Sequence, residues 1–150
     1  MGGKGQRKQP RIAGSMPAAK KIVSIFPSHD QSSERISWRF GELDLDGPWG
    51  WHLTNEADLR LIHEKLRQME QLTWDEARNP KGMGQKPIGR ESLIAAARKR
   101  LREIQADDAD LVEFHLGGLP RVWGRRCGNV CHLLWWDPRH EVCPSKKKHT

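Results

Sequence analysis

Apolar positions along the chain follow two different periods, and the places where one gives way to the other mark out the expected elements. Residues 36–40 (Ile36-Ser37-Trp38-Arg39-Phe40) alternate apolar with polar, the two-residue period of a half-buried strand. That strand is expected to run on through Leu43 and Leu45 to a turn at Gly47-Pro48. A helical period follows, with Leu59, Ile62, Leu66, Met69 and Leu72 forming one apolar stripe. Asn55 opens this helix, and Asp58 three residues later has the spacing of a capping arrangement. Thr73 and Glu76 repeat that spacing in a short second piece, which Asn79-Pro80 and the glycines at 82 and 84 end. The stripe Leu93, Ala97, Leu101 and Ile104 predicts another helix over 91–105.

From Leu111 the period returns to two. Val112, Phe114 and Leu116 alternate with Glu113 and His115 before the turn Gly117-Gly118-Leu119-Pro120. Residues 121–126 and 130–136 read as two further strands, joined at Cys127-Gly128-Asn129 by hairpin turn chemistry. The order strand, helix, helix, three strands predicts an α+β domain over 34–143. In it an antiparallel sheet, one N-terminal strand plus a three-strand meander, packs against a helical hairpin. Residues 1–33 and 144–150 read as basic tails, the first disordered.

Charge refines this picture. The formal net charge is +7, but residues 1–35 hold seven Lys/Arg against two acids, and Lys146, Lys147 and Lys148 add more. Within the body, residues 39–76 carry four basic and nine acidic groups, whereas 78–102 carry eight basic groups and only Glu91. Such a block is either a footprint for phosphate or a solvated helix face. Its Lys86, Arg90, Arg98 and Arg102 are the candidate phosphate contacts. Residues 81–90 lack the Gly-Lys-Ser/Thr ending of a nucleotide-binding loop and read as a mobile loop, either near a ligand or with none. The longest apolar run is 93–97, far short of the roughly 20 residues a membrane span needs, and a cytoplasmic chain is expected.

The last forty residues resemble a known family. Leu111-Val112-Glu113-Phe114-His115-Leu116, Arg121-Val122-Trp123-Gly124 and Val130-Cys131-His132-Leu133-Leu134-Trp135-Trp136, with their turns, look like the strand meander of the RelE/HigB-like toxin superfamily. The motif resemblance covers about 111–140, and the order of elements extends it over 36–143. The resemblance implies a RelE-like fold and a metal-independent endoribonuclease of a type II toxin–antitoxin system. Such an enzyme cuts messenger RNA, in many members on the ribosome, and is held by an antitoxin. It also implies a phosphate-stabilising role for Arg121, which stands where the family commonly has Arg. Tyr often fills the family's other roles, and this chain has none.

RNA cleavage by 2′-hydroxyl attack requires a base, an acid and cations on the phosphate. Histidine does acid–base work near neutral pH, which makes His115 and His140 the catalytic candidates beside Arg121, with His132 to be examined. Arg125 and Arg126 have a fork geometry suited to phosphate, or are ordinary hairpin charges. Of the adjacent Trp135 and Trp136, one is expected in the core and the other either stacks on a base or covers the helical hairpin, with structural duty the favoured reading; Trp135 is the RNA-binding candidate. Asp137 either orients the His140 ring or ends the strand. Cys127, Cys131, His140 and Cys143 are spaced so that zinc is one reading and reduced thiols the other; the expectation is no cofactor and no metal. The alternative to an enzyme is a non-catalytic RNA- or protein-binding module of the same fold.

Overall fold

The change of period at Leu111 marks the start of the central meander. β3 (Leu111–His115), β4 (Arg121–Cys127) and β5 (Val130–Asp137) are antiparallel neighbours in the computed structural model, which describes residues 31–78, 84–108 and 110–145. Gly128 opens the tight turn between β4 and β5 with φ +63°, a region that a β-carbon makes costly. The basic segments 1–30 and 146–150 lie outside the described residues. Residues 31–33 belong to the folded body rather than a tail: Gln31 Oε1 accepts from the Asn129 amide at 2.8 Å.

The five-stranded sheet has the order β1-β5-β4-β3-β2. β1 (Ser37–Arg39) pairs with β5 in parallel, so the sheet is mixed and the purely antiparallel expectation is corrected. It is also shorter than its alternation suggests. The Phe40 carbonyl accepts from Leu43, and the Asp44 carboxylate then accepts from the Asp46 and Gly47 amides, turning the chain away. β2 (Gly84–Ile88) replaces part of the loop expected over 81–90 and pairs antiparallel with β3. Pro87 is tolerated there because an edge strand has one side without a partner.

α1 (Glu56–Met69) starts as its capping signal predicts, with Asn55 Oδ1 accepting from the Asp58 amide at 2.8 Å and Asp58 accepting from the Asn55 amide at 3.2 Å. Thr73 and Glu76 make the same reciprocal pair around a single turn. α2 (Ala95–Glu103) is shorter than 91–105, because a 3-10 turn at Arg90–Ser92 and extended Leu93-Ile94 precede it. The Ile94 amide is tied to the Val142 carbonyl at 3.0 Å.

The two helices do not form one layer. Ile62, Leu66 and Met69 of α1 pack with Val112, Phe114 and Val122, whereas Ala97 and Leu101 of α2 pack with Leu111 and Trp123. Successive strand residues point to opposite faces, so α1 covers one face and α2 the other. This corrects the expected helical hairpin. An apolar stripe shows that a helix is covered but not which sheet face covers it.

A bulge adjusts the α2 face. Trp123 lies opposite Trp135 but Gly124 opposite Leu133, leaving Leu134 as an extra residue. A β-carbon on Gly124 would sit 2.4 Å from Cys131 Sγ, so the position needs glycine. Leu134 and Trp135 consequently both join the α2-side core.

Candidate active site

Period-two alternation puts Leu111, Glu113 and His115 on the α2 side of β3. Arg121 on β4 lies directly opposite His115, and Lys86 on β2 directly opposite Glu113, so all four side chains belong to one face. Leu111 is core. Beyond it the face becomes polar and lines a cavity of about 610 Å³, whose other walls include Gly89, Ser92 and Cys143.

Glu113 is the centre of this cluster and only 3% exposed. Its Oε1 accepts from Arg121 Nε at 2.9 Å and lies 3.0 Å from His140 Nε2. Its Oε2 lies 3.6 Å from His115 Nε2, a buried nitrogen with no hydrogen-bond partner among the described residues. Burial pushes the Glu113 carboxyl up, but His115, His140 and Arg121 together outweigh burial and hold it below the usual carboxylate range. The site thus contains a buried carboxylate that stays ionised, touched by two imidazoles and one guanidinium.

Backbone groups fix two of these side chains in place. Arg121 Nη1 donates to the carbonyls of Gly118, Leu119 and Pro120 at 2.6, 3.0 and 3.1 Å, locking the guanidinium to the preceding turn. His140 comes from the turn after β5 and has φ +56°, a left-handed conformation that costs a non-glycine residue about 1 kcal/mol. Asp137 holds that turn. Its Oδ1 accepts from the Glu141 amide at 2.8 Å, and its Oδ2 from the Val142 amide at 3.0 Å and Trp123 Nε1 at 3.2 Å. Asp137 therefore positions His140 through the backbone, while the ring itself is met by Glu113 rather than by Asp137.

The three residues expected to be catalytic, Arg121, His115 and His140, are brought together, with Lys86 on the same cavity. Arg90, Arg98 and Arg102 converge instead on a neighbouring pocket of about 310 Å³. The RNA-binding expectation for Trp135 is corrected, and Arg125 and Arg126 are found partnered within the fold. Trp135 is fully buried with its Nε1 donating to Asp44 Oδ2 at 3.0 Å, so it offers no face to a base; Trp136 is buried on the α1 side. Arg125 forms a two-armed pair with Glu42, its Nε at 2.8 Å from Oε2 and its Nη2 on Oε1. Arg126 lies over the Trp74 ring, 4.2 Å from the centroid, and donates to the Gly128 carbonyl at 2.8 Å. His132 sits beside Glu42, 3.8 Å away, outside the Glu113 cluster.

The cysteines also separate. Cys127 is exposed at the end of β4, Cys131 packs on the α1 side, and Cys143 borders the α2-side core. Among the described residues no three His, Cys, Asp or Glu side chains are grouped to hold a metal ion. Burial pushes the Cys143 thiol up, and the charge on Glu113 adds to this, so the sulfur beside the cavity is kept from ionising.

The alternation along β3 places Glu113 on the His115 face but assigns it no function. The available signal was its position two residues before His115 on an otherwise apolar strand, where a carboxylate must find partners. No family model, curated protein or solved structure matches the chain. No described helix is long and apolar enough to cross a membrane.

Proposed function

We propose that the Glu113 cluster cleaves RNA by attack of a 2′-hydroxyl on the adjacent phosphodiester, in the manner of a RelE/HigB-like toxin. The observation that carries this reading is the contact of one buried carboxylate with both His140 and Arg121, on a polar cavity that also presents His115 and Lys86. The expected resemblance of 111–140 to the toxin meander supports it, with Arg121 opening the second strand.

The chemistry assigns each group a task. Glu113 accepts a hydrogen bond from His140 Nε2–H and so selects the tautomer whose Nδ1 carries a lone pair. Nδ1 takes the proton of the 2′-hydroxyl as its oxygen bonds to phosphorus. The bond to the 5′-oxygen breaks, and that oxygen takes a proton from His115. The products are a 2′,3′-cyclic phosphate and a 5′-hydroxyl. Arg121 and Lys86 supply positive charge where the phosphoryl oxygens gain negative charge. Base, acid and cations are all side chains of this site, so the reaction is expected to persist in chelator.

The test is incubation of the purified protein with single-stranded RNA and with DNA of the same sequence. Cleavage of RNA alone, leaving a cyclic phosphate, is expected. In a bacterial host, induced expression is expected to arrest growth and to be relieved by His140→Asn. One observation favours a non-catalytic module: Arg121 already serves Glu113 and three carbonyls. RNA that is bound but never cut would select that reading.

A further inference from the structure

The arginines of α2 fall into two groups. Arg100 is tied to Asp44 and Glu103, and Lys99 reaches Glu103. Arg98 and Arg102, one helical turn apart, make no ion pair among the described residues and are exposed. Arg90, from the 3-10 turn ahead of the helix, makes none either and lines the same pocket of about 310 Å³. The three guanidinium groups on this pocket outnumber its two carboxylates, Glu91 and Asp107, and leave an excess of positive charge that favours an anion there.

This pocket adjoins the catalytic cavity. The Arg90–Ser92 turn separates the two: Glu91 lines both, Gly89 and Ser92 line the catalytic side, and Arg90 lines the arginine side. The Glu91 carboxylate lies back over Gly89, where a β-carbon would meet Oε1 at 2.2 Å. A strand of nucleic acid crossing this turn would therefore have phosphates on both sides of it. Asp107 is the other carboxylate on the arginine side.

We infer that Arg90, Arg98 and Arg102 form a phosphate subsite for a nucleotide outside the scissile step, so that the enzyme prefers strands over dinucleotides. The inference rests on the RNA-cleavage reading for its substrate. It adds a direction of approach, across the 90–92 turn, and a minimum length. Planar guanidinium groups suit this task because each can hold two phosphate oxygens. Glu91, at the divide, opposes the strand and moderates its affinity.

The experiment compares a dinucleotide with an octanucleotide RNA, and adds binding of the octanucleotide DNA, which has no 2′-hydroxyl to react. In the wild type, kcat/KM is expected to be higher for the octanucleotide. Arg98→Ala/Arg102→Ala is expected to lower octanucleotide kcat/KM by about tenfold or more and to leave the dinucleotide unchanged. The salt slope of DNA binding should fall by about 1.4, at roughly 0.7 for each phosphate no longer neutralised. Glu91→Gln should tighten binding, and Arg98→Lys/Arg102→Lys should retain most of the salt slope. Equal losses on both RNAs, or DNA binding insensitive to the arginines, overturns the subsite. Arginine-dependent DNA binding by a protein that cuts neither RNA supports the subsite and overturns the cleavage reading alone.

Discussion

Two buried carboxylates on the α2 side of the sheet each hold an arginine and each border a cavity, and they differ in their remaining partners. Asp44 accepts from Arg100 Nε at 2.8 Å and Nη2 at 2.7 Å, from the Asp46 and Gly47 amides, and from Trp135 Nε1. Burial pushes its carboxyl up, but these donors outweigh burial and hold it well below the usual range. None of them changes charge near neutral pH, so Asp44 is a fixed strut joining α2, β5 and the turn after β1. Glu113 has one such donor, Arg121, and its other neighbours are imidazoles beside a cavity. A carboxylate saturated by permanent donors is architecture. One held partly by groups that exchange protons is the kind the proposed chemistry requires.

The largest effect should come from breaking the strut. Asp44→Ala leaves a buried indole N–H unpaired and Arg100 with Glu103 alone, and is expected to cost about 2 kcal/mol or more of stability, read by urea unfolding. Activity per folded molecule should be unchanged; a specific loss of cleavage at full folding would blur the distinction between the two sites. Next, His140→Asn keeps a residue that tolerates the left-handed backbone and removes the ring. Cleavage should fall by about 10²- to 10⁴-fold, with the unfolding midpoint little changed.

Acid sharpens the comparison further. A carboxyl whose folded pKa is depressed contributes stability above its unfolded value and loses it as pH falls through the folded one. Both carboxyls are of this kind, with ordinary values of 3.8 for Asp44 and 4.5 for Glu113. Wild-type stability should therefore decline as pH falls below these values, and Asp44→Asn and Glu113→Gln should each flatten that decline in equilibrium unfolding. The smallest effect concerns thiols. Burial pushes the Cys131 and Cys143 thiols up, and Cys127 is exposed, so iodoacetamide should label Cys127 first, as read by peptide mass.

Local signals in the sequence were legible because they act over a few residues. Asn55 with Asp58 and Thr73 with Glu76 both cap as their spacing predicts, and Gly128 turns the β4–β5 hairpin. The alternation that put Glu113 and His115 on one face also matches the register of β3 with β4. Long-range partners were not legible. Nothing near Arg125 announces Glu42, 83 residues away, and nothing near Trp135 announces Asp44, 91 residues away. Those pairings decide that Arg125 and Trp135 build the fold while Arg121 meets Glu113. The direction of β1 and the side taken by each helix depend on chain crossings, which no periodicity records.

What separates Glu113 from Asp44, on the proposed chemistry, is that it works through protons as well as through packing. Glu113→Gln keeps the size and an acceptor oxygen for Arg121 but removes the charge facing His115 and His140. The direct measurement is its single-turnover RNA cleavage rate at neutral pH, under conditions where circular dichroism shows it fully folded. A fall of about 10²-fold or more is predicted. A rate within twofold of wild type would contradict that role and leave Glu113, like Asp44, as a strut.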